Sequence, residues 1–322
     1  MRGVVFYLGR RLVWAALVSI AAVVLTFLLV RMAPGNPISV LAGEQATPEY
    51  QRELAARLGL DQPLWVQLVR YLGSLAQGDL GYSFTYRAPV AEVISARFAP
   101  TLVLMGVTLL ISILIGIWVG VRSAAAGRSR FWWGVNMLTL VAYSLPAFWL
   151  GQVLVLFFGV KLGWFPTLGL VSDVNATGWA MLKDMAWHLV LPAATISVIQ
   201  VALIARLTET AMREALASDY VVAARGKGVA AGRVVWGHAL RNALLPVVTV
   251  IGLELGWVVA GFVVVETAFS WPGLGSLTSS AIDARDYPVI TGLFIVITVS
   301  VILANLLTDL VYLAIDPRIR VV

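Results

Sequence analysis

The chain of 322 residues contains no cysteine and only two histidines. Without cysteine, neither a disulfide framework nor a thiolate metal site can form. The two histidines, His188 and His238, fall on opposite sides of the membrane in the topology derived below. They therefore cannot cooperate as the base of a nucleophile or as ligands of one metal ion.

Known catalytic and nucleotide-binding motifs are also missing. The sequence contains no H-E-x-x-H, G-x-S-x-G or phosphate-loop pattern. We therefore predict no catalytic residue, no metal site and no cofactor in this chain, and any use of ATP must involve another protein.

Charge is scarce, because only 12% of the residues are charged and 60% are hydrophobic. A membrane-spanning helix needs about 20 mostly apolar residues. Six stretches qualify, and together they predict an all-α polytopic membrane protein. They are residues 12–30, 99–121, 131–160, 188–206, 242–265 and 289–315.

The distribution of Lys and Arg predicts the orientation of the chain. If the N-terminus lies inside, the inner segments carry 14 basic and 4 acidic residues, and the outer segments carry 9 basic and 11 acidic residues. Both termini are therefore predicted to be cytoplasmic. The net charge of +6 reflects this topology and gives no support to nucleic-acid binding.

Three parts of the chain follow from this topology. Residues 1–30 form the N-terminal segment and first span, 31–98 a small extracytoplasmic cap, and 99–322 the core, which contains a cytoplasmic loop at 207–241. The cap is too long for a connector and carries a helix signal, Thr47-Pro48-Glu49, followed by a turn at Gly59.

The cytoplasmic loop contains a short helix pattern with a small-residue face. Tyr220, Ala223 and Ala224 are spaced to share this face, with Asp219 as the predicted N-cap. Gly226 and Gly228 are predicted to end the helix, and Arg225 and Lys227 add positive charge. Small side chains allow close approach of another protein, so we predict a docking surface. The alternative is a basic loop held near anionic lipid headgroups.

Polar residues within the predicted spans are candidates for a translocation path. They include Glu254, Gln200 and Gln152. Glu254 is flanked by Gly252 and Gly256, which leaves room for a ligand or a neighbouring backbone, although pairing with a partner subunit is an equal alternative. Pro146 is a candidate hinge, whereas Pro246 better fits the start of a helix.

The chain resembles the first permease subunit of dipeptide and oligopeptide ABC transporters over nearly its entire length. The cytoplasmic segment reads Val222-Ala223-Ala224, Gly228 and His238-Ala239-Leu240-Arg241, which is similar to the coupling loop of these permeases. Further matches are Pro34-Gly35-Asn36-Pro37, Gly78-Asp79-Leu80-Gly81-Tyr82-Ser83, Ser144-Leu145-Pro146, Asp219-Tyr220-Val221, Ala224-Arg225-Gly226-Lys227-Gly228, Val265-Glu266-Thr267, Pro272-Gly273-Leu274-Gly275 and Arg285-Asp286-Tyr287-Pro288. Asn36 and Glu254 depart from the usual aspartate and glutamine of the family.

The resemblance implies a fold of the type I ABC importer permease kind and a set of partners. These are a second permease subunit, more commonly a related subunit than a second copy, two ATPase subunits that bind ATP and Mg²⁺, and an extracytoplasmic substrate-binding protein or lipoprotein. Surrounding lipid and a location in the bacterial inner membrane are also implied. The resemblance places an outer gate or binding-protein contact at Glu266, Phe269, Trp271, Pro272 and Gly273.

The substrate expected from the resemblance is a dipeptide or oligopeptide. Nickel chelates, glutathione and sugars are alternatives, because the same scaffold carries them in related systems. A secondary transporter or channel is a more remote alternative that leaves the cytoplasmic loop and the cap without a function.

Overall fold

The computed structural model of the protein describes residues 2–32, 47–57, 59–127, 129–173 and 175–315. Helices make up most of this part of the chain. They are α1 (Arg2–Met32), α2 (Pro48–Arg57), α3 (Leu64–Ala76), α4 (Val90–Ala125), α5 (Arg130–Ser144), α6 (Ala147–Leu154), α7 (Gly178–Leu216), α8 (Asp219–Gly226), α9 (Ala231–Arg233), α10 (Leu240–Gly261), α11 (Val263–Ala268), α12 (Leu274–Asp283) and α13 (Tyr287–Ile315). Two π-helical segments, Val155–Lys161 and Val234–Ala239, follow α6 and α9, and two short strands, β1 (Tyr82–Ser83) and β2 (Ala88–Pro89), precede α4.

The predicted spans correspond to long apolar helices. Among the described residues, four helical segments are long and apolar enough to cross a membrane: Val90–Ala125, Gly178–Leu216, Ala231–Gly252 and Tyr287–Thr308. The pair α5 and α6 with its π-helical extension counts as a fifth if it is one bent span. The remaining predicted span, 12–30, lies in α1, whose apolar part Ala16–Met32 is shorter. The predicted all-α polytopic class is confirmed.

The predicted span 131–160 is broken at Leu145 and Pro146. Both residues are extended, with ψ of 134° and 130°, and the helices on either side are bent by 106°. Proline disfavours the helical conformation of the residue before it and lacks an N–H for the helical hydrogen bond. Pro146 therefore separates two helices, and its role as a hinge stays a prediction.

The chain divides into two compact units, one formed chiefly by Met1–Ala99 and Gly273–Ile302 and the other by Pro100–Pro272 and Leu303–Arg320. The first unit contains the predicted cap. Its helix α2 begins at Pro48, and Gly59 adopts the left-handed conformation that the predicted turn requires, with φ of 65°. Strands β1 and β2 pair antiparallel, and Ser83 of β1 donates a hydrogen bond of 2.5 Å to Asp286.

The second unit is built around α7, which packs most extensively on α10 and α5. With 39 residues, α7 is about 58 Å long, roughly twice the hydrocarbon thickness of a bilayer. It therefore extends well beyond the predicted span 188–206 at both ends. A buried core forms beside its first half from Leu104, Leu189, Leu191, Ala193, Ile196, Val265, Phe269 and Trp271.

The expectation that Pro246 starts a helix is wrong. Helix α10 already begins at Leu240 and follows directly on a π-helical segment, so Pro246 lies inside it. The loop 207–241 is likewise not a simple connector, because its first ten residues continue α7 to Leu216.

Candidate coupling helix and translocation path

The predicted docking segment folds as the helix α8, Asp219–Gly226. The prediction of Asp219 as N-cap is wrong by one residue, because the extended Ser218 occupies that position and Asp219 is already helical. An acidic side chain in the first turn is favourable beside the positive end of the helix. Gly226 is the last helical residue, and Gly228 has a φ of 75°, the left-handed conformation that commonly follows a helix.

Val221 fixes α8 to the rest of the second unit. Its side chain is fully buried. It belongs to a cluster at the ends of three long helices, formed by Val121, Ala211, Met212, Val221, Val234, Ala239 and Ala243. Because Val121 lies in α4, Met212 in α7 and Ala243 in α10, this buried cluster joins α8 to the ends of all three helices. Sequence reasoning missed the anchoring role of Val221, because the sequence alone does not distinguish it from the exposed Val222 beside it.

The opposite side of α8 is exposed. Tyr220 and Val222 expose 40% and 60% of their surface. The predicted contact residues Asp219, Ala223, Arg225, Gly226, Lys227 and Gly228 are also exposed, whereas Ala224 is half-buried. An apolar surface rimmed by charged side chains is typical of a contact with another protein. Its role in docking stays a prediction.

Two glycines bring α4 and α7 into close contact. Gly116 and Gly120 have the G-x-x-x-G spacing that favours helix packing in membranes. A Cβ atom on Gly120 would lie only 2.5 Å from the carbonyl oxygen of Ala205 and from Cβ of Thr208, and one on Gly116 would lie 2.8 Å from Cβ of Ile204. With no gap between them, these two helices can pass a displacement to each other.

A chain of polar side chains connects three helices near the same end. Ser123 of α4 donates a hydrogen bond of 2.9 Å to Oδ1 of Asn136 in α5. Nδ2 of Asn136 donates in turn to Oε1 of Glu209 in α7 over 3.0 Å, and Arg213 pairs with the same oxygen at 2.6 Å. Asn136 therefore ties α5 to the helices that contact α8.

The three predicted path residues have different surroundings. Gln200 of α7 is 7% exposed, and its Oε1 accepts no hydrogen bond from the described residues. Gln152 of α6 is exposed, and Glu254 of α10 is half-buried. The space predicted beside Glu254 is partly taken, because a Cβ on Gly252 would overlap the side chain of Thr308. The role of all three residues in the path stays a prediction.

The predicted outer-gate residues lie mostly inside the protein. Glu266, Phe269 and Trp271 are at most 2% exposed, Gly273 is buried, and Pro272 is half-buried. Thr101 donates a hydrogen bond of 2.8 Å to Glu266, and Nε1 of Trp271 donates one of 3.0 Å to the carbonyl oxygen of Pro100. These hydrogen bonds fix α11 and the segment after it to α4 at Pro100 and Thr101. Contact with a binding protein or a gating role stays a prediction.

An apolar groove of about 680 Å³ lies in the second unit and is lined by residues of α4, α5 and α7. None of the described lining residues is charged, and the polar ones are Thr139 and Ser197. Such a groove lacks partners for the charged ends of a peptide. Among the described residues, no group of three His, Asp or Glu side chains is placed to hold a metal ion.

Long apolar helices with a short exposed helix fixed to their ends define a polytopic membrane protein, and its similarity to known proteins places it among the transporters. The chain belongs to the family described as binding-protein-dependent transport system inner membrane component, whose model matches residues 112–321. The model of the N-terminal membrane component of the same systems matches residues 4–105. The chain is thus an inner-membrane permease subunit, as the resemblance predicted.

Curated relatives are similar along the whole chain. The di/tripeptide transport system permease protein DppB of Pseudomonas aeruginosa is 41% identical over 330 residues, and the dipeptide transport system permease protein DppB of Escherichia coli K12 is 40% identical over 333. The glutathione transport system permease protein GsiC of Salmonella paratyphi A is 40% identical over 315 residues. In each case the similarity covers 98% of both chains.

A solved structure shares the fold. A chain of the MetNI methionine ABC transporter, determined in inward-facing conformations, superimposes with a TM-score of 0.57 at 18% sequence identity. The match covers 70% of this chain and 97% of that one. The type I ABC importer permease fold is therefore confirmed.

Proposed function

We propose that this chain forms half of the translocation pathway of an ATP-driven importer of dipeptides or oligopeptides. The observation that carries the proposal is the two-sided helix α8. Its exposed side offers Tyr220 and Val222 to another protein, and its buried side places Val221 among the ends of α4, α7 and α10. The family, described as binding-protein-dependent, supports transport with an extracytoplasmic receptor rather than by an independent channel or secondary transporter.

The proposed partners follow from this arrangement. Two ATPase subunits bind ATP and Mg²⁺ and dock on α8 of this chain and on the matching helix of a second permease subunit, which is a related chain. A substrate-binding protein or lipoprotein delivers the peptide to the opposite face, where the predicted topology puts the cap at 31–98. Both termini of the chain are cytoplasmic in this proposal.

In the proposed mechanism, a displacement of α8 is passed to the membrane-spanning helices. When the ATPase subunits close on ATP, they displace α8, and Val221 presses on Val121 and Met212. The close packing at Gly116 and Gly120 carries the displacement along α4 and α7, and Asn136 carries it to α5. Rigid-body movement of these helices then opens the pathway to one side of the membrane at a time.

Peptides are the proposed substrates because relatives at 40–41% identity are named as dipeptide and di/tripeptide permeases. Glutathione is a second candidate, supported by the equally similar glutathione permease of Salmonella. Glutathione is itself a peptide with free carboxylates, so both candidates share the same chemistry.

The proposal is tested by adding a charge to the exposed side of α8. We expect Ala223→Asp to reduce co-purification of the ATPase subunits with the tagged chain and to reduce ATP-dependent uptake of dialanine by roughly tenfold or more, because a carboxylate in an apolar contact is costly. Ala125→Asp makes the same change at an exposed position at the end of α4, outside α8. Equal effects of the two substitutions would contradict the docking role of α8. Failure of the wild-type transporter to import any peptide would contradict the substrate.

A further inference from the structure

A cavity of about 270 Å³ lies inside the first compact unit, beside the end of α1. Its wall is formed by α1, Leu60, α3, the segment 79–85, the turn that leads into α13 and the first residues of α13. This volume is close to the lower end of the range of small-molecule sites, which is about 300–1,000 Å³. It shares no described lining residue with α8 or with the candidate path.

Arg31, in the last turn of α1, lines this cavity. Its side chain is half-buried, and the guanidinium carbon lies 5.4 Å from the ring centroid of Phe27. The described part of the chain supplies neither a carboxylate nor a hydrogen-bond acceptor to this guanidinium. An arginine presents five N–H donors, and removing such a cation from water is costly when no anion pairs with it.

Tyr71 of α3 lines the same cavity and offers a second donor. Its ring stacks on Phe27 with the centroids 5.6 Å apart. Its hydroxyl oxygen is buried and forms no hydrogen bond within the described residues. Burial raises the pKa of Tyr71 to about 12, so the hydroxyl keeps its proton and remains a donor at physiological pH.

The charges around the cavity favour one class of ligand. Two cations, Arg31 and Arg285, and two anions, Asp79 and Asp286, line it, so the wall is neutral overall. Asp286 accepts a hydrogen bond from Ser83, and Asp79 accepts one of 2.8 Å from the backbone N–H of Gly81. A phosphate dianion would be repelled by these carboxylates, whereas a zwitterion with one carboxylate matches a neutral wall that contains two available donors.

We propose that this cavity binds the free carboxylate of a small zwitterion, namely the C-terminal end of a short peptide, through the guanidinium of Arg31 and the hydroxyl of Tyr71. The apolar part of the wall, Leu60, Leu80 and Phe84, receives the side chain beside that carboxylate. The inference rests on the proposed function, because it places a peptide site in the cap, on the side where the substrate arrives.

The test measures binding of radiolabelled dialanine by equilibrium dialysis to the transporter purified with its partner subunits, without binding protein, in phosphatidylethanolamine nanodiscs. We expect Arg31→Gln to weaken binding by roughly tenfold or more and Tyr71→Phe by about threefold, because charged hydrogen bonds contribute more than neutral ones. Arg52→Gln removes an exposed cation of the cap that does not line the cavity and leaves binding unchanged. Dialanine amide, which lacks the carboxylate, competes at least tenfold more weakly than dialanine.

Several results would overturn the inference. The first is that the wild-type transporter does not bind dialanine, and the second is that the Arg31→Gln and Arg52→Gln variants bind it equally well. The third is that dialanine amide competes as well as dialanine. The fourth is that phosphatidylglycerol displaces dialanine, which would indicate a lipid-headgroup site. If Arg31→Gln does not assemble, Tyr71→Phe decides, because it removes only one hydroxyl. ATP-dependent uptake of dialanine by cells separates the two proposals. If the cells import dialanine but the substitutions leave dialanine binding unchanged, only the proposed carboxylate site is refuted. If the cells import no peptide at all, the proposed function is refuted.

Discussion

Thr101 of α4 donates a hydrogen bond of 2.8 Å to the carboxyl group of Glu266 in α11, and both side chains are at most 2% exposed. The indole N–H of Trp271 donates a hydrogen bond to the carbonyl oxygen of Pro100, the residue before Thr101. Two polar contacts therefore hold α11 and the segment after it against α4. Buried polar groups of this kind are costly to leave without partners.

We expect Thr101→Val to lower the free energy of unfolding by about 1–3 kcal/mol, because it removes the hydroxyl donor and keeps the shape of the side chain. Thr267→Val is the matched control at an exposed position beside Glu266 and should change stability by less than about 0.5 kcal/mol. Thermal unfolding of the purified chain in detergent, followed by near-ultraviolet circular dichroism, measures both. Equal midpoints for the two variants would show that the buried hydrogen bond contributes nothing.

Gly120→Ala should also destabilise the second unit, because the new methyl group would lie 2.5 Å from the carbonyl oxygen of Ala205. Overpacking of this kind costs about 1–3 kcal/mol. Gly106→Ala, in the same helix, has no heavy atom within 4 Å of the added carbon and should be neutral or slightly stabilising. The same unfolding assay compares the two, and equal stability of both variants would contradict the close contact of α4 with α7.

Asn136→Leu removes the polar connection between α5 and the pair of helices α4 and α7. If the hydrogen bonds of Asn136 transmit the displacement of α8, the amount of peptide taken up per ATP hydrolysed should fall severalfold. ATP hydrolysis should continue, because the ATPase subunits still dock on α8. Uptake and hydrolysis are measured together in proteoliposomes that hold the complete transporter. Asn175→Leu, at an exposed loop position, is the control, and an unchanged ratio for Asn136→Leu would refute the connection.

Tyr71 provides a prediction about pH. Burial raises its pKa from 10 to about 12, so the folded protein holds a proton that the unfolded chain loses near pH 10. The stability that depends on this group is fully present below pH 10 and decreases as the pH rises towards 12. The difference in absorbance at 295 nm between wild type and Tyr71→Phe should therefore titrate near pH 12. A difference that titrates near pH 10 would show that the hydroxyl is not buried.

The sequence predicted the features that depend on local chemistry. The apolar runs predicted the long helices, Thr47-Pro48-Glu49 predicted α2, and the glycines at 226 and 228 marked the end of α8. Each signal is contained in a few neighbouring residues, so it can be read without knowledge of the packing.

Features that depend on distant contacts were not predictable in this way. Val221 is no different in sequence from Val222, yet one is fully buried and the other is 60% exposed. The burial of Glu266 and Trp271 depends on partners about 165 and 171 positions earlier in the chain. Pro246 failed as a helix start because the residues before it were already helical.

The break at Leu145 and Pro146 has a consequence for the surrounding lipid. A hydrocarbon environment offers no partners for backbone amides, and a chain that leaves the helical conformation for two residues cannot complete all of its internal hydrogen bonds. α5 measures about 22 Å, less than the thickness of the hydrocarbon layer, so it cannot cross a bilayer by itself. The backbone at Leu145 and Pro146 must therefore contact protein or water. Lipid acyl chains cannot surround this subunit without interruption at that point.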